Sequence, residues 1–477
     1  MSKLVIICLT TAFILGISSL VSIFLGRRTK NNADWSVGGR SLPLYVVIGT
    51  QYATAMGGGV LVAHVGIGYQ SGWSVLTYGF IVAAGLLLFT LLAPWLRAQN
   101  FSSLPEVFAK IYGENKLLYL LVSLACIIVP LGWISTQLVA FSKLFSAITG
   151  LNSVFLIVLA GIVSVLFVMP AGLTSVAWTD FIFGCFMLIM SIVTAVYAIK
   201  SGGGWNNITD TVPAENISFP EGLGAVGSLS IVLWILSIIP GTLTNQLYYQ
   251  RIFAIKKANH VRTSLIISAI VFMTSELWAG VVGQAIRAMQ PGLAPEEAAG
   301  WFLTQMPTWL LALYAGFIAA TVISTIDSAI QSAVVNLNND IYKKLINPEA
   351  SDRKLLNLSR LLSVIVTFIA GVFALVWPEA LGWLVASYAY SASVLLFPLM
   401  LGYAFRNSNF LTTQGVISSM AAGIVTCGIG QAMNGEVLGV SLPYVVFGLA
   451  GSLVTLLLVS SLTKNNNTLI NKEQLEA

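Results

Sequence analysis

Apolar runs of about 20 residues, the length of a membrane-spanning helix, recur from one end of this chain to the other. No other feature restricts its fold as strongly. In hydrocarbon, every backbone N–H and C=O must be satisfied within the spanning structure, and runs of this length do so as α-helices. The runs lie near 4–25, 42–66, 74–96, 117–147, 152–170, 175–199, 226–250, 263–288, 304–340, 356–376, 381–404, 412–433 and 439–462. They predict an all-α integral membrane protein of thirteen helices, forming one domain over residues 1–462. A short, polar, unfolded tail is expected over 463–477. Only 9% of residues are charged against 57% hydrophobic, where soluble domains carry about 25% charged residues. The first run is too long for the apolar part of a signal peptide, lacks a small-residue cleavage site and ends in Arg27-Arg28, so it reads as a first span.

The charges sort by loop. One alternate set of loops holds Arg27, Arg28, Lys30, Arg40, Arg97, Lys110, Lys116, Arg251, Lys256, Lys257, Arg262, Lys343, Lys344, Arg353, Lys354, Arg406, Lys464 and Lys472. The other holds Lys3, Lys200 and Arg287, with Asp210, Glu215, Glu221, Glu296, Glu297, Glu379 and Glu436. By the positive-inside rule the basic set faces the cytoplasm. That puts the N-terminus outside and the C-terminus inside a cell membrane, as an odd number of spans requires.

Several chemistries find no residues. Cys8, Cys126, Cys185 and Cys427 sit in apolar runs without metal or disulfide spacing. His64 and His260 are the two histidines, and there is no HExxH or CxxC. Gly57-Gly58-Gly59 follows no strand and has no P-loop lysine, so it is no phosphate cradle. No nucleophile–base pair appears, so the chain reads as no enzyme and as needing no organic cofactor. A net charge of +5 is too small to suggest nucleic acid, and the chain calls for no obligatory protein partner.

What remains is a polar stripe where polarity is costly. Within an apolar run, Thr321, Ser324, Thr325, Ser328 and Ser332 align on one helix face, with Asp327 about 60° from Ser324. A carboxylate at the centre of a membrane helix costs roughly 2.5–3.5 kcal/mol even on the lenient insertion scale. Hydroxyls and a carboxylate are hard oxygen ligands that suit a hard cation. A helix–helix seam accounts for the Ser and Thr residues equally well, but poorly for the acid. Asp180 and Glu276 are further acids in apolar runs. Spacing leaves open whether Asp180 is buried or at the cytoplasmic interface, and it gives Glu276 at most a structural hydrogen-bonding role.

Two runs read as interrupted helices. Near 42–66 lies Gly57-Gly58-Gly59, and near 226–250 lies Pro240-Gly241, followed by Thr242, Thr244, Asn245 and Gln246. Glycine costs about 1 kcal/mol relative to alanine inside a helix, and proline removes a helical bond. The runs are second and seventh in order, five spans apart. Matched broken helices in two halves point to a transporter binding site.

Several motifs together resemble the sodium:solute symporter family. They are Asp34-Trp-Ser-Val-Gly-Gly-Arg40, with Trp35 where the family has Phe or Tyr; Ala177-Trp-Thr-Asp180; Tyr249-Gln-Arg251; and Ser324-Thr-Ile-Asp-Ser328 with Asn339-Asp-Ile-Tyr342. They occur in the family's order, and the resemblance covers about 1–460. It implies the leucine-transporter fold: two inverted five-helix repeats, about 42–200 and 226–404, flanked by helices 4–25, 412–433 and 439–462. It implies a sodium-coupled symporter working by alternating access. One sodium would be held by carbonyls of Ala53, Met56 and Thr321 and by the hydroxyls of Ser324 and Thr325. A possible second would use Asp180, Ser324, Asp327 and Ser328. The run around Gly57–Gly59 is similar to choline-transporter-like members, which suggests an organic amine as the solute. Trp133, Trp234, Tyr388 and Tyr390 would then form a cage for it, unless they simply pack the bundle. Gln51, Gly57, Gly58, His64, Asn245 and Gln246 are further candidate solute contacts. A proton-coupled carrier and a solute sensor without transport are the rival readings.

Overall fold

A computed structural model of the chain describes residues 3–26, 36, 38–168, 173–408, 410–437 and 440–476. The helices in the first half are α1 (Lys3–Gly26), α2 (Leu44–Ala55), α3 (Gly58–Ser71), α4 (Ser74–Ala98), α5 (Leu104–Tyr112), α6 (Lys116–Ala125), α7 (Ile128–Thr149), α8 (Ser153–Val168) and α9 (Leu173–Ser201). Two short helices, α10 (Trp205–Thr211) and α11 (Ala214–Ile217), lead to α12 (Ser228–Thr244), α13 (Gln246–Ala254), α14 (His260–Met289) and α15 (Ala298–Thr304). Then come α16 (Thr308–Val335), extended by π-helical turns over Asn336–Ile346, α17 (Asp352–Val376), α18 (Ala380–Ala404), α19 (Thr413–Ala432) and α20 (Tyr444–Glu476). One two-residue hairpin, Glu436–Val437 with Val440–Ser441, precedes α20.

Among the described residues, nine helices are long and apolar enough to cross a membrane, or eleven when two bent pairs each count as one span. The apolar stretches Val5–Ile17 in α1 and Ser153–Leu166 in α8 are shorter, so a total of thirteen depends on counting both. Asp34, Trp35 and Val37 of the motif at 34–40 lie outside the described residues, which include Ser36 and Gly38–Arg40. The tail departs from expectation: α20 continues to Glu476, because no Gly or Pro after Thr463 stops the helix.

The first bent pair, α2 and α3, turns by 59° at Met56-Gly57. The three glycines are there for close approach. A Cβ on Gly58 would lie 2.1 Å from Val322 Cγ2 of α16, and one on Gly59 would lie 2.3 Å from Thr136 Cγ2 of α7. The second pair, α12 and α13, turns by 41°. Its break is at Asn245, not at the expected Pro240-Gly241, which both lie inside α12. Asn245 leaves the helical region, and its Oδ1 accepts from Leu247 N at 3.0 Å, capping α13. Gly241 lets α12 seat Tyr388 of α18, whose Cδ1 would be 2.3 Å from an added Cβ.

The start of α2 and the end of α13 meet. Leu42 N donates to Ala254 O at 3.1 Å, and Lys256 N donates to Leu42 O at 2.9 Å. The first broken helix therefore starts beside the point where the second ends, and the two run in opposite senses. Around them, α9 packs on α2, α14 on α3 and α4, α12 on α18, and α16 on α7 and α1, while α19 and α20 pair beside α18.

Candidate functional site

The break in α2–α3 faces α16, α9, α13 and α7, and each supplies a polar side chain to a dry centre. α2 makes its last backbone bond from Met56 N to Tyr52 O at 2.8 Å. The carbonyls from Ala53 to Met56 thus form the free, electronegative end of a half-helix. Thr325 of α16 lies against this end: its Oγ1 would be 2.6 Å from a Cβ on Gly57, and it donates to Thr321 O at 3.1 Å. The hydroxyl of Thr321 is buried without a partner. Thr321 and Thr325 thereby lie near the end of α2 that carries Ala53 and Met56, and Ser324, next to Thr325, bonds to Asp180.

Asp180 is fully buried in the second turn of α9, which excludes an interfacial position for it. Its Oδ1 accepts from Ser324 Oγ. Its Oδ2 accepts from Thr50 Oγ1 at 2.6 Å, Thr54 Oγ1 at 3.2 Å and Ser328 Oγ at 3.2 Å. These four hydroxyls come from α2 and α16. Arg251 completes the cluster. It was counted above among loop charges, but it is fully buried in α13. Its Nη2 lies 3.4 Å from Asp180 Oδ2 and donates to Thr54 Oγ1 at 2.6 Å and Ser328 Oγ at 2.9 Å. Its Nε donates to Thr50 Oγ1 at 3.1 Å and its Nη1 to Leu247 O at 3.0 Å. A buried carboxylate needs a partner cation, and here a tethered guanidinium serves. Asp327 stands apart: its Oδ1 is buried with no hydrogen-bond partner.

Above the glycines sits Gln137 of α7, which sequence reasoning missed. Its Oε1 accepts from Gly59 N at 2.9 Å, capping the first turn of α3. The available signal was the polar run Ser135-Thr136-Gln137 within α7. Beside it, Trp133 makes edge-on contacts with Tyr248 and Tyr388, the ring centroids 6.5 Å and 6.1 Å away respectively. The Trp133 indole N–H and the Asn245 Nδ2 are buried with no partner. Trp234 packs edge-on against Tyr78 at 5.2 Å. These aromatics leave unsatisfied donors beside both helix breaks.

Four expected solute contacts are engaged elsewhere. Tyr390 donates to Gln431 of α19 at 2.6 Å and faces the flanking helices. Gln246 Oε1 accepts from Leu104 N at 3.0 Å, tying α13 to the start of α5. Gln51 Oε1 accepts from Ser268 of α14 at 2.8 Å. His64 Nδ1 lies 2.8 Å and 2.9 Å from the two carboxylate oxygens of Glu276. One end of each side chain is held in this way, while Gln51 Nε2, Gln246 Nε2 and His64 Nε2 remain buried without a partner.

A cavity of about 890 Å³ opens at the end of the bundle carrying Glu215, Glu296 and Glu379, and reaches down to Ala63 and Trp234. A second, about 750 Å³, opens at the opposite end between Arg40, Glu106, Asp340, Lys343 and Lys344. The Asp180 cluster lies between them and is sealed from both. At the first end, Glu296 accepts from Lys143 Nζ at 2.7 Å and from the N–H groups of Ala380 and Leu381 at 3.1 Å each. At the other, the Leu42 strand bridge joins α2 to α13.

Two oppositely running broken helices, with a closed polar centre between two mouths, define a secondary carrier of the leucine-transporter fold. The family model of the sodium:solute symporter family matches residues 35–423, and this chain belongs to that family. It is a transporter, not an enzyme, and sodium is the coupling ion of its family. The high-affinity proline transporter PutP of Bacillus subtilis (strain 168) is 26% identical over 472 residues, spanning 93% of this chain and 96% of the relative. A sodium/proline symporter of Staphylococcus aureus is 24% identical over 480 residues, spanning 95% and 92%. The fold is similar to that of a Na+-coupled sialic acid symporter in a substrate-bound outward-open state, with TM-score 0.79, 19% identity and coverage of 96% of this chain and 98% of that one.

Proposed function

We propose that this protein imports a small organic solute across the cell membrane by symport with sodium. The observation that carries this reading is the hydroxyl–carboxylate cluster at the break in α2–α3. Oxygen ligands of this kind hold a hard cation. A first sodium would lie among the carbonyls of Ala53, Met56 and Thr321 and the hydroxyls of Ser324 and Thr325. A second would lie at Asp180, Ser324 and Ser328, with Thr50 and Thr54 in place of the expected Asp327. A cation arriving there displaces Arg251 from Asp180, which links ion binding to the position of α13. Sodium running inward gains about 2.3 kcal/mol per charge per 100 mV.

Residues 1–462 act as a single transporter domain, with 463–477 as its C-terminal extension. The larger mouth faces outward and both the basic loops and the C-terminus face the cytoplasm, by the charge asymmetry of the loops. The solute sits beside Trp133, Tyr388 and Asn245. The names of the relatives favour proline or a similar compact amino acid, whose carboxylate would accept the free N–H groups of Trp133 and Asn245. The edge-on aromatic group also favours a second reading, an organic amine held by cation–π contact. Thermal unfolding of the purified protein decides between these: proline should stabilise it only with sodium present. Stabilisation by choline or betaine and not by proline would favour the amine. Stabilisation by proline without any sodium requirement would refute coupling.

A further inference from the structure

Among the described residues, His64 and Glu276 form a buried acid–base pair besides Asp180 and Arg251, and the proposed sodium sites make no use of it. Both side chains are at most 1% exposed. His64 Nδ1 lies within 2.9 Å of both carboxylate oxygens. The carboxylate is wedged between helices, with its Cγ 2.6 Å from where a Cβ on Gly79 of α4 would stand. Behind it, α3 and α14 meet backbone to backbone: a Cβ on Gly283 would be 2.4 Å from the Gly68 carbonyl carbon. The titratable neighbours are Tyr78 of α4, whose ring is 4.4 Å from the imidazole, and Tyr52 of α2, whose hydroxyl has no partner. Phe272 of α14 supplies an apolar wall, its ring 6.3 Å away. Among the described residues, no Lys or Arg forms an ion pair with Glu276.

The pair lies on the side of α3 away from the larger mouth, which Ala63, Gly66 and Ile67 of the same helix line. In this structure α3 and α14 are already closed over the pair, which has no access to water. With a neutral imidazole and an ionised carboxylate, that closure would bury a net negative charge without a counter-cation. A buried charge of this kind is expensive, whereas a neutral, hydrogen-bonded pair is tolerated. One added proton makes the pair neutral.

We propose that His64 and Glu276 form a proton-binding site between α3 and α14, and that the carrier closes over its solute only with that proton bound. The proton is then a second ligand of the transport cycle besides sodium. This inference rests on the carrier reading above, but it fails separately: sodium-dependent uptake can persist with no dependence on this pair.

The test is sodium-driven uptake of radiolabelled proline into proteoliposomes, with pH varied on the side of the larger mouth. Wild-type uptake should fall several-fold as the pH on that side is raised. Glu276→Gln keeps an acceptor for the imidazole N–H but removes the negative charge, so its uptake should no longer fall. His64→Gln leaves the carboxylate without its proton-bearing partner, so its uptake should survive only at more acidic pH than the wild type's. Opposite displacement of the two profiles is a signature that general instability would not give. If Glu276→Gln fails to fold, the acid-shifted profile of His64→Gln carries the test. A flat wild-type profile, or variants that keep the wild-type profile, would overturn the proposal. Absence of sodium-dependent uptake of any solute would instead overturn the carrier reading.

Discussion

Replacing Arg251 with methionine should turn a sodium-tolerant site into a sodium-requiring one. In the closed structure the guanidinium makes five contacts within 3.4 Å, to Thr50, Thr54, Asp180, Ser328 and the Leu247 carbonyl. Arg251→Met keeps most of the volume but leaves Asp180 with hydroxyl donors and no cation. Removing one member of a buried ion pair costs about 3–5 kcal/mol. The hydroxyls of Thr50, Thr54, Ser324 and Ser328 remain on Asp180, so the lower part of that range is expected. Sodium binding at Asp180 would restore the missing charge, and a ligand at 100 times its Kd stabilises by about 2.7 kcal/mol. The assay is thermal unfolding in detergent, with sodium chloride titrated against potassium chloride at constant ionic strength. The variant should unfold at lower temperature than wild type without sodium and recover most of the difference with it. Its apparent sodium affinity should exceed that of wild type, because a competing tethered cation is gone. Equal sodium-induced stabilisation of the two proteins would refute the idea that Arg251 and sodium share Asp180.

Ser324→Ala and Thr325→Ala each delete one hydroxyl with little change in volume, so each should lower apparent sodium affinity in uptake by about tenfold, equivalent to about 1.4 kcal/mol, with expression maintained. Gly57→Ala places a Cβ 2.6 Å from Thr325 Oγ1 and 2.7 Å from Gln137 Nε2, so it should weaken sodium dependence, whereas Gly371→Ala, with nothing within 4 Å, should leave uptake unchanged. In intact cells, an impermeant thiol reagent should label Asn206→Cys and miss Ala258→Cys in a background without reactive cysteines; the reverse pattern would invert the proposed orientation.

The architecture was legible because hydrocarbon imposes simple rules on sequence. Run length and composition exposed the spans, and glycine and proline pointed to the two broken helices. The second break was misplaced because Pro240 lacks only its own donor, and α12 continues through it, whereas Asn245 can cap a new helix with its side chain. Asp180 and Ser324 were identifiable because a motif and a burial cost coincide there. Arg251 was not, because charge counting assigns every Arg near a span end to a loop. The apolar Ile252-Phe253-Ala254 after it was the available signal. For Gln246, Gln51 and His64 the sequence shows a polar side chain but not the neighbour that holds one of its ends, Leu104 N, Ser268 and Glu276 respectively. Gln137 depends on a contact across 78 residues, from Gly59 to α7, that no local pattern encodes.

The central claim is that solute and sodium move together through one closed site. Radioactive sodium entry into proteoliposomes, measured with and without proline or another solute that stabilises the protein, tests it most directly. The account predicts that solute accelerates sodium entry, that Ser324→Ala and Thr325→Ala suppress the acceleration, and that a proton gradient alone drives no solute accumulation when potassium replaces sodium. Solute accumulation of equal size in potassium, driven by a proton gradient and accompanied by no sodium entry, would contradict it.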